Sequence, residues 1–187
     1  MSLPVLRTDR LVLRPLRAEH EEPLITAFAD EGRDGSPYTS VELADPGALR
    51  ALLTTNLAEE RAEGLGHCVF EVDGVVAGFG RLAGFRQFPP PFVSIGWALG
   101  GGYRGKGLAT EAVRELVRHA HETVGVPAVW ALIHPDNLPS KRLAERAGFV
   151  FVGWREKLGH QVEAHVALRP GARWPVGDAG WPAGSDR

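Results

Sequence analysis

The stretch that decides the fold is Phe92-Val93-Ser94-Ile95-Gly96-Trp97-Ala98-Leu99, which runs into Gly100-Gly101-Gly102-Tyr103-Arg104-Gly105-Lys106-Gly107 and then Leu108-Ala109-Thr110-Glu111-Ala112. Its first eight residues are mostly apolar and read as a strand. Beyond the glycines, Leu108, Ala109, Ala112, Val113, Leu116, Val117 and Ala120 fall on one stripe of a helix, with Glu111 and Glu115 on its polar side. A strand that passes through a glycine-rich loop into a helix is suited to hold phosphate. Successive N–H groups point at the anion, and the helix dipole adds partial positive charge. Glycine allows that close approach of backbone to ligand, and Arg104 and Lys106 offer cationic contacts. The plain alternative is a turn with a helix cap.

Working outward, residues 10–16 alternate polar and apolar as a half-buried strand does, and residues 18–30 turn helical. Breakers fill residues 32–37, and a second helix is predicted over residues 46–63, opened by Pro46. Residues 67–72 and 75–82 read as strands joined by Asp73-Gly74, a strong hairpin signal. Residues 86–91 hold three prolines in a row and form a loop or a strand entry. The continuous apolar run Val129–Ile133 fits a strand buried on both faces. A helix over residues 138–147 ends at Gly148, a left-handed terminator. Residues 149–155 and 162–168 read as a closing pair of strands. The order predicts an α/β domain over residues 6–169, a mixed sheet of about seven strands covered by about four helices. The Gly-, Pro- and Trp-rich residues 170–187 are expected to be a poorly ordered tail.

Composition narrows the function. Twenty-one basic and 23 acidic side chains leave a net charge of -2, which gathers neither nucleic acid nor an anionic membrane. No apolar run approaches the ~20 residues of a membrane helix, and residues 1–14 lack the pattern of a secretory signal. These features predict a cytoplasmic protein. The single cysteine, Cys68, sits among apolar neighbours and reads as packing rather than as a nucleophile. His119 and His121 stand two apart on a helix and face different ways, while His160 and His165 are isolated, so no metal site is expected.

Three phosphate-binding patterns compete for the glycine cluster. Gly100, Gly105 and Lys106 fit G-x-x-x-x-G-K, but Gly107 stands where that loop needs a magnesium-binding Ser or Thr. Gly100, Gly102 and Gly105 fit G-x-G-x-x-G, which normally opens a repeated βαβ unit; here two helices and a hairpin come first. The third pattern is Gly96-Trp97-Ala98-Leu99 followed by Tyr103-Arg104-Gly105-Lys106-Gly107-Leu108-Ala109-Thr110-Glu111-Ala112. It resembles the central motif of the GNAT acetyltransferases. Asn137-x-x-Ser140, then Leu143-Ala144-Glu145-Arg146-Ala147-Gly148-Phe149, is similar to that family's following motif. The opening Leu6-Arg7-Thr8-Asp9-Arg10-Leu11-Val12-Leu13-Arg14 resembles the branch with the ribosomal-protein N-terminal acetyltransferases RimJ and RimL.

The resemblance implies a sheet splayed between the strands Phe92–Leu99 and Val129–Ile133, with acetyl-CoA as co-substrate. Pantetheine would lie along the backbone of Trp97, Ala98 and Leu99. The pyrophosphate would sit on amides from Arg104 through Gly105, Lys106, Gly107, Leu108 and Ala109 to Thr110. Asn137 would contact the cofactor arm, although its position before Leu138 suits a helix cap as well. Ser140 would protonate the departing thiolate, or serve in the first helical turn. The acceptor would be a primary amine, on a small molecule or a protein N-terminus. Relatives of this branch often dimerise, so a homodimer is implied as well.

The general base is the gap in this pattern. Many GNAT enzymes carry a glutamate on the strand before the loop, whereas Phe92–Leu99 has Ser94 as its only polar side chain. Glu71, His67, His134 and Glu163 remain as candidates acting through water. Tyr38 and Tyr103 do not align with the tyrosine acid of many relatives, and Asp30, Glu31 and Asp34 offer negative charge to a cationic amine. The missing carboxylate keeps open a second function, a cofactor sensor without efficient turnover. An NTPase is the third.

Overall fold

A computed structural model of the chain describes residues 3–29, 45–58, 64–84, 92–157 and 160–172. The breaker loop at 32–37, the end of the second helix at 59–63, the proline loop at 86–91 and residues 173–187 lie outside them. So do Asp30, Glu31, Asp34 and Tyr38.

The sheet has eight strands: β1 (Leu6–Arg7), β2 (Val12–Pro15), β3 (Gly66–Val72), β4 (Val75–Gly84), β5 (Phe92–Leu99), β6 (Ala128–Ile133), β7 (Val150–Lys157) and β8 (His160–Leu168). Their order is β1-β2-β3-β4-β5-β6-β8-β7. Four α-helices accompany them among the described residues: α1 (Glu21–Phe28), α2 (Pro46–Ala58), α3 (Leu108–His119) and α4 (Leu138–Arg146). The strand beyond the expected count is β1. Thr8 closes a tight turn, its amide donating to the Leu11 carbonyl at 2.9 Å and its hydroxyl accepting from the Leu11 amide at 3.0 Å. The turn folds Leu6 back onto Leu13. Two residues are too few to show a period, so the strand is invisible to pattern reading.

Local chemistry explains the other joints. Asp73 and Gly74 both take left-handed backbone, φ 49° and 79°, the two-residue turn whose twist suits a hairpin. Asp45 caps α2 by accepting from the Ala48 amide at 2.6 Å, and Pro46 fills the first helical position.

The first five strands form an antiparallel meander. The chain then crosses through α3 and lays β6 parallel to β5, as a parallel pair requires. Leu82, Val93, Ile95, Leu116, Val129 and Leu143 form a core between one face of the sheet and helices α3 and α4. On the other face, α1 and α2 bury Leu24, Phe28, Leu49 and Leu53 against Val69 and Val76. No described helix is long and apolar enough to cross a membrane.

Candidate active site

The site begins where two strands part. β5 pairs with β4 from Gly84↔Val93 to Gly78↔Leu99. With β6 it pairs only at Phe92↔Ala128, Val93↔Val129 and Ser94↔Trp130. Beyond Ser94, every second N–H and C=O of β5 faces a gap instead of a neighbouring strand. The gap is a cleft of about 310 Å³. Ile95, Gly96 and Trp97 make one wall, while Ala131, Leu132, Ile133 and His134 make the other, with Asn137 and Ser140 at the start of α4.

The glycine cluster stands at the end of β5. Gly101–Tyr103 is a single 3-10 turn in which the Tyr103 amide donates to the Gly100 carbonyl and the Arg104 amide to that of Gly101, at 2.9 and 3.2 Å. Gly105 and Gly107 follow with left-handed backbone, φ 75° and 77°. A Cβ at Gly105 meets nothing within 4 Å, and one at Gly107 meets only Arg10 Nη2 at an ordinary 3.6 Å. Conformation, not crowding within the protein, is what demands glycine here. The two reversals turn the chain into α3, whose first amides have no partner one turn back. None of the N–H groups of residues 105–110 donates to a described acceptor.

The cationic side chains of the loop turn back onto its own carbonyls. Arg104 Nε donates to the Leu99 carbonyl at 2.9 Å, and Lys106 Nζ to that of Gly102 at 2.8 Å. Both therefore shape the loop. A further clamp comes from the far end of the chain. Arg10 Nη1 donates to the Lys106 carbonyl at 2.9 Å, Arg10 Nε and Nη2 engage Glu111 at 2.7 and 2.6 Å, and the Thr8 hydroxyl donates to Glu111 at 2.5 Å. Burial pushes the Glu111 carboxyl up, but the bonds from Thr8 and Arg10 outweigh it and hold the group below its ordinary range. The sequence reading missed this clamp. Nothing local marks it, because its partners are about a hundred residues apart.

The remaining site residues fall as follows. Trp97 lines the cleft, Ala98 packs toward α1 and α2, and Leu99 is buried toward α3. Leu108 and Thr110 are buried and Ala109 is half-buried. Asn137 caps α4, its Oδ1 accepting from the Ser140 amide at 3.1 Å, and still faces the cleft. Ser140 lines the cleft too, and the cap engages its amide. Of the four candidate bases, only His134 lines the cleft. His67 is buried. Glu71 is tied to Arg14 at 2.7 Å, and Glu163 to Lys141 at 2.7 Å and His165 at 3.0 Å. No three His, Cys, Asp or Glu residues among those described group as metal ligands would.

A slot edged by unpaired strand backbone, beside a cradle of amides with no described acceptor, can pair with an extended ligand and hold its anionic end. The family described as the acetyltransferase (GNAT) domain matches residues 10–150. The chain belongs to that family and is a GNAT-type N-acetyltransferase. It is similar to the N-acetyltransferase p20 of Bacillus licheniformis, 26% identical over 153 residues, covering 79% of this chain and 83% of the relative. A GnaT-family acetyltransferase from Bordetella pertussis is 28% identical with a TM-score of 0.69, over 88% of this chain and 99% of that one. Mycobacterium smegmatis RimJ in complex with CoA-disulfide shares the fold at 18% identity, with a TM-score of 0.72 over 86% and 82% of the two chains.

Proposed function

We propose that the protein transfers the acetyl group of acetyl-CoA to a primary amine by direct attack in a ternary complex. The observation that carries this reading is the row of free amides at residues 105–110, beside strand backbone that lacks a partner past Ser94. The diphosphate of the coenzyme would rest on those amides, and the half-charge of the α3 N-terminus adds to their attraction. Pantetheine would run along Trp97, Ala98 and Leu99 as a missing strand would, with Asn137 across from it. Arg104 and Lys106 hold the cradle in shape. The RimJ complex supports the coenzyme by likeness of fold alone.

In the reaction the amine nitrogen attacks the thioester carbonyl, the C–S bond breaks, and the proton lost by nitrogen returns to the coenzyme sulfur. Backbone N–H groups of β5 facing the cleft would take the developing oxyanion. Ser140 would pass a proton to the thiolate while its own hydroxyl is reprotonated, through water, with the proton taken from the amine. His134, the titratable cleft residue, would take the amine proton through water. An α-amino group, with a pKa near ~8, demands less of a base than a lysine near ~10.4. A site without a carboxylate on β5 therefore fits α-amines, including protein N-termini as in the RimJ/RimL-like branch.

The test is release of free thiol from acetyl-CoA against a panel of amines. Amine-dependent release supports the reading. Tight binding of coenzyme A with no release on any amine would favour a cofactor sensor instead.

A further inference from the structure

Arg81 of β4 stands directly opposite Gly96 of β5. Because Gly96 has no side chain, the arginine stem lies across it: a Cβ there would sit 3.5 Å from Arg81 Cγ and 3.8 Å from Nε. Gly96 is itself part of the cleft wall. Arg81 is half-buried, and its guanidinium makes no hydrogen bond or ion pair with any described residue. Across β3, Arg81 stands opposite the buried His67, and Arg14, two strands away on the same face, is matched by Glu71. A partly desolvated guanidinium without a partner favours whatever anion can reach it.

Its side of the sheet matters. Alternation along β4 places Arg81 with Phe79, whose ring meets Phe28 of α1. It is therefore on the α1–α2 face, while α3 covers the opposite face. With the coenzyme seated at the start of α3 as proposed above, an acceptor amine would approach Gly96 and the cleft from the face that carries Arg81.

We propose that Arg81 receives a carboxylate of the acceptor, so that the enzyme acts on amines bearing a carboxylate a few bonds from nitrogen. This deepens the acetyl-transfer reading and rests on it. The planar guanidinium matches a carboxylate in a two-bond fork and repels a polyamine. A single guanidinium balances a single negative charge, whereas a dianionic phosphate would leave one charge uncompensated.

The experiment compares acceptors in matched pairs, each amino carboxylate against its carboxamide, on wild type, Arg81→Gln and Arg81→Lys. Wild type should favour the acids by about tenfold to a hundredfold in kcat/KM, the worth of a hydrogen bond to a charged group. Arg81→Gln should erase the preference while coenzyme A affinity, measured by calorimetry, stays unchanged. Arg81→Lys should keep part of it. Equal rates on acid and amide, no turnover of any carboxylate-bearing amine, or a preference that survives Arg81→Gln would overturn the proposal. If wild type fails to bind coenzyme A at all, the acetyl-transfer reading falls and takes this inference with it.

Discussion

The carboxylate of Glu111, in the first turn of α3, lies 2.6 Å from the guanidinium of Arg10, in the turn between β1 and β2. The same guanidinium holds the Lys106 carbonyl, so one side chain fixes both the glycine loop and the helix it opens. Arg10→Ala should weaken coenzyme A binding by roughly threefold to tenfold, the worth of an immobilised contact, and leave kcat at saturating coenzyme unchanged. Titration calorimetry and steady-state kinetics read the two quantities separately; a fall in kcat with unchanged affinity would refute this positioning role.

The clamp also has a pH signature. Glu111 has a folded pKa below its ordinary 4.5, so its contribution is present above the unfolded value and lost as pH falls through the folded one. The melting-temperature gap between wild type and Glu111→Gln should be full at neutral pH and close on acidification below 4.5. A gap that persists at the lowest pH would show that the charge is not what stabilises.

Replacing Gly105 or Gly107 by alanine places a Cβ in left-handed backbone, at a cost of about 1–2 kcal/mol. For a chain of this size that is a melting shift of roughly 2–8 °C. Coenzyme A binding should suffer more than the melting does, because the loop relaxes out of the shape that aims its amides. Equal affinity in Gly105→Ala would mean that the reversal at that residue is irrelevant to the ligand.

Asn137 and Ser140 separate a structural role from a chemical one. Asn137→Ala removes the α4 cap at about 1 kcal/mol and should weaken coenzyme binding as well. Ser140→Ala should melt like wild type and bind coenzyme A normally, yet lose about a hundredfold to ten-thousandfold in kcat if its hydroxyl serves as the acid. Unchanged kcat would pass the proton to water.

Cys68 is fully buried, and burial pushes its thiol up to about 12, with the 3.6 Å contact to the Gly80 carbonyl a minor influence the other way. Thiolate-selective reagents should leave it untouched in the native protein and label it once denaturant unfolds the chain. Thiol release from acetyl-CoA can then be followed without a background from the protein. Rapid native labelling would contradict this burial.

What the sequence revealed was whatever is encoded over a few residues. The strand, glycine loop and helix of residues 92–120 could be read directly, as could the hairpin at Asp73-Gly74 and the Asn137 cap, because the same short stretch holds cause and effect. The Arg10–Glu111 clamp and the placement of Arg81 over Gly96 could not. Each needs a register between strands distant in sequence, and alternation along one strand does not supply it. Arg104 and Lys106 were legible as loop residues, but not as side chains turned back onto carbonyls. The choice of His134 over Glu71 and Glu163 likewise required knowing which of them lines the cleft.

The central claim is that main-chain amides at the mouth of α3 grip the coenzyme diphosphate. An amide-resolved NMR titration with coenzyme A tests it directly. The account predicts that the largest shifts fall on the N–H signals of residues 105–110, with smaller ones on Trp97 to Leu99 and Asn137. Saturable binding whose largest shifts lie elsewhere, with residues 105–110 unmoved, would contradict it.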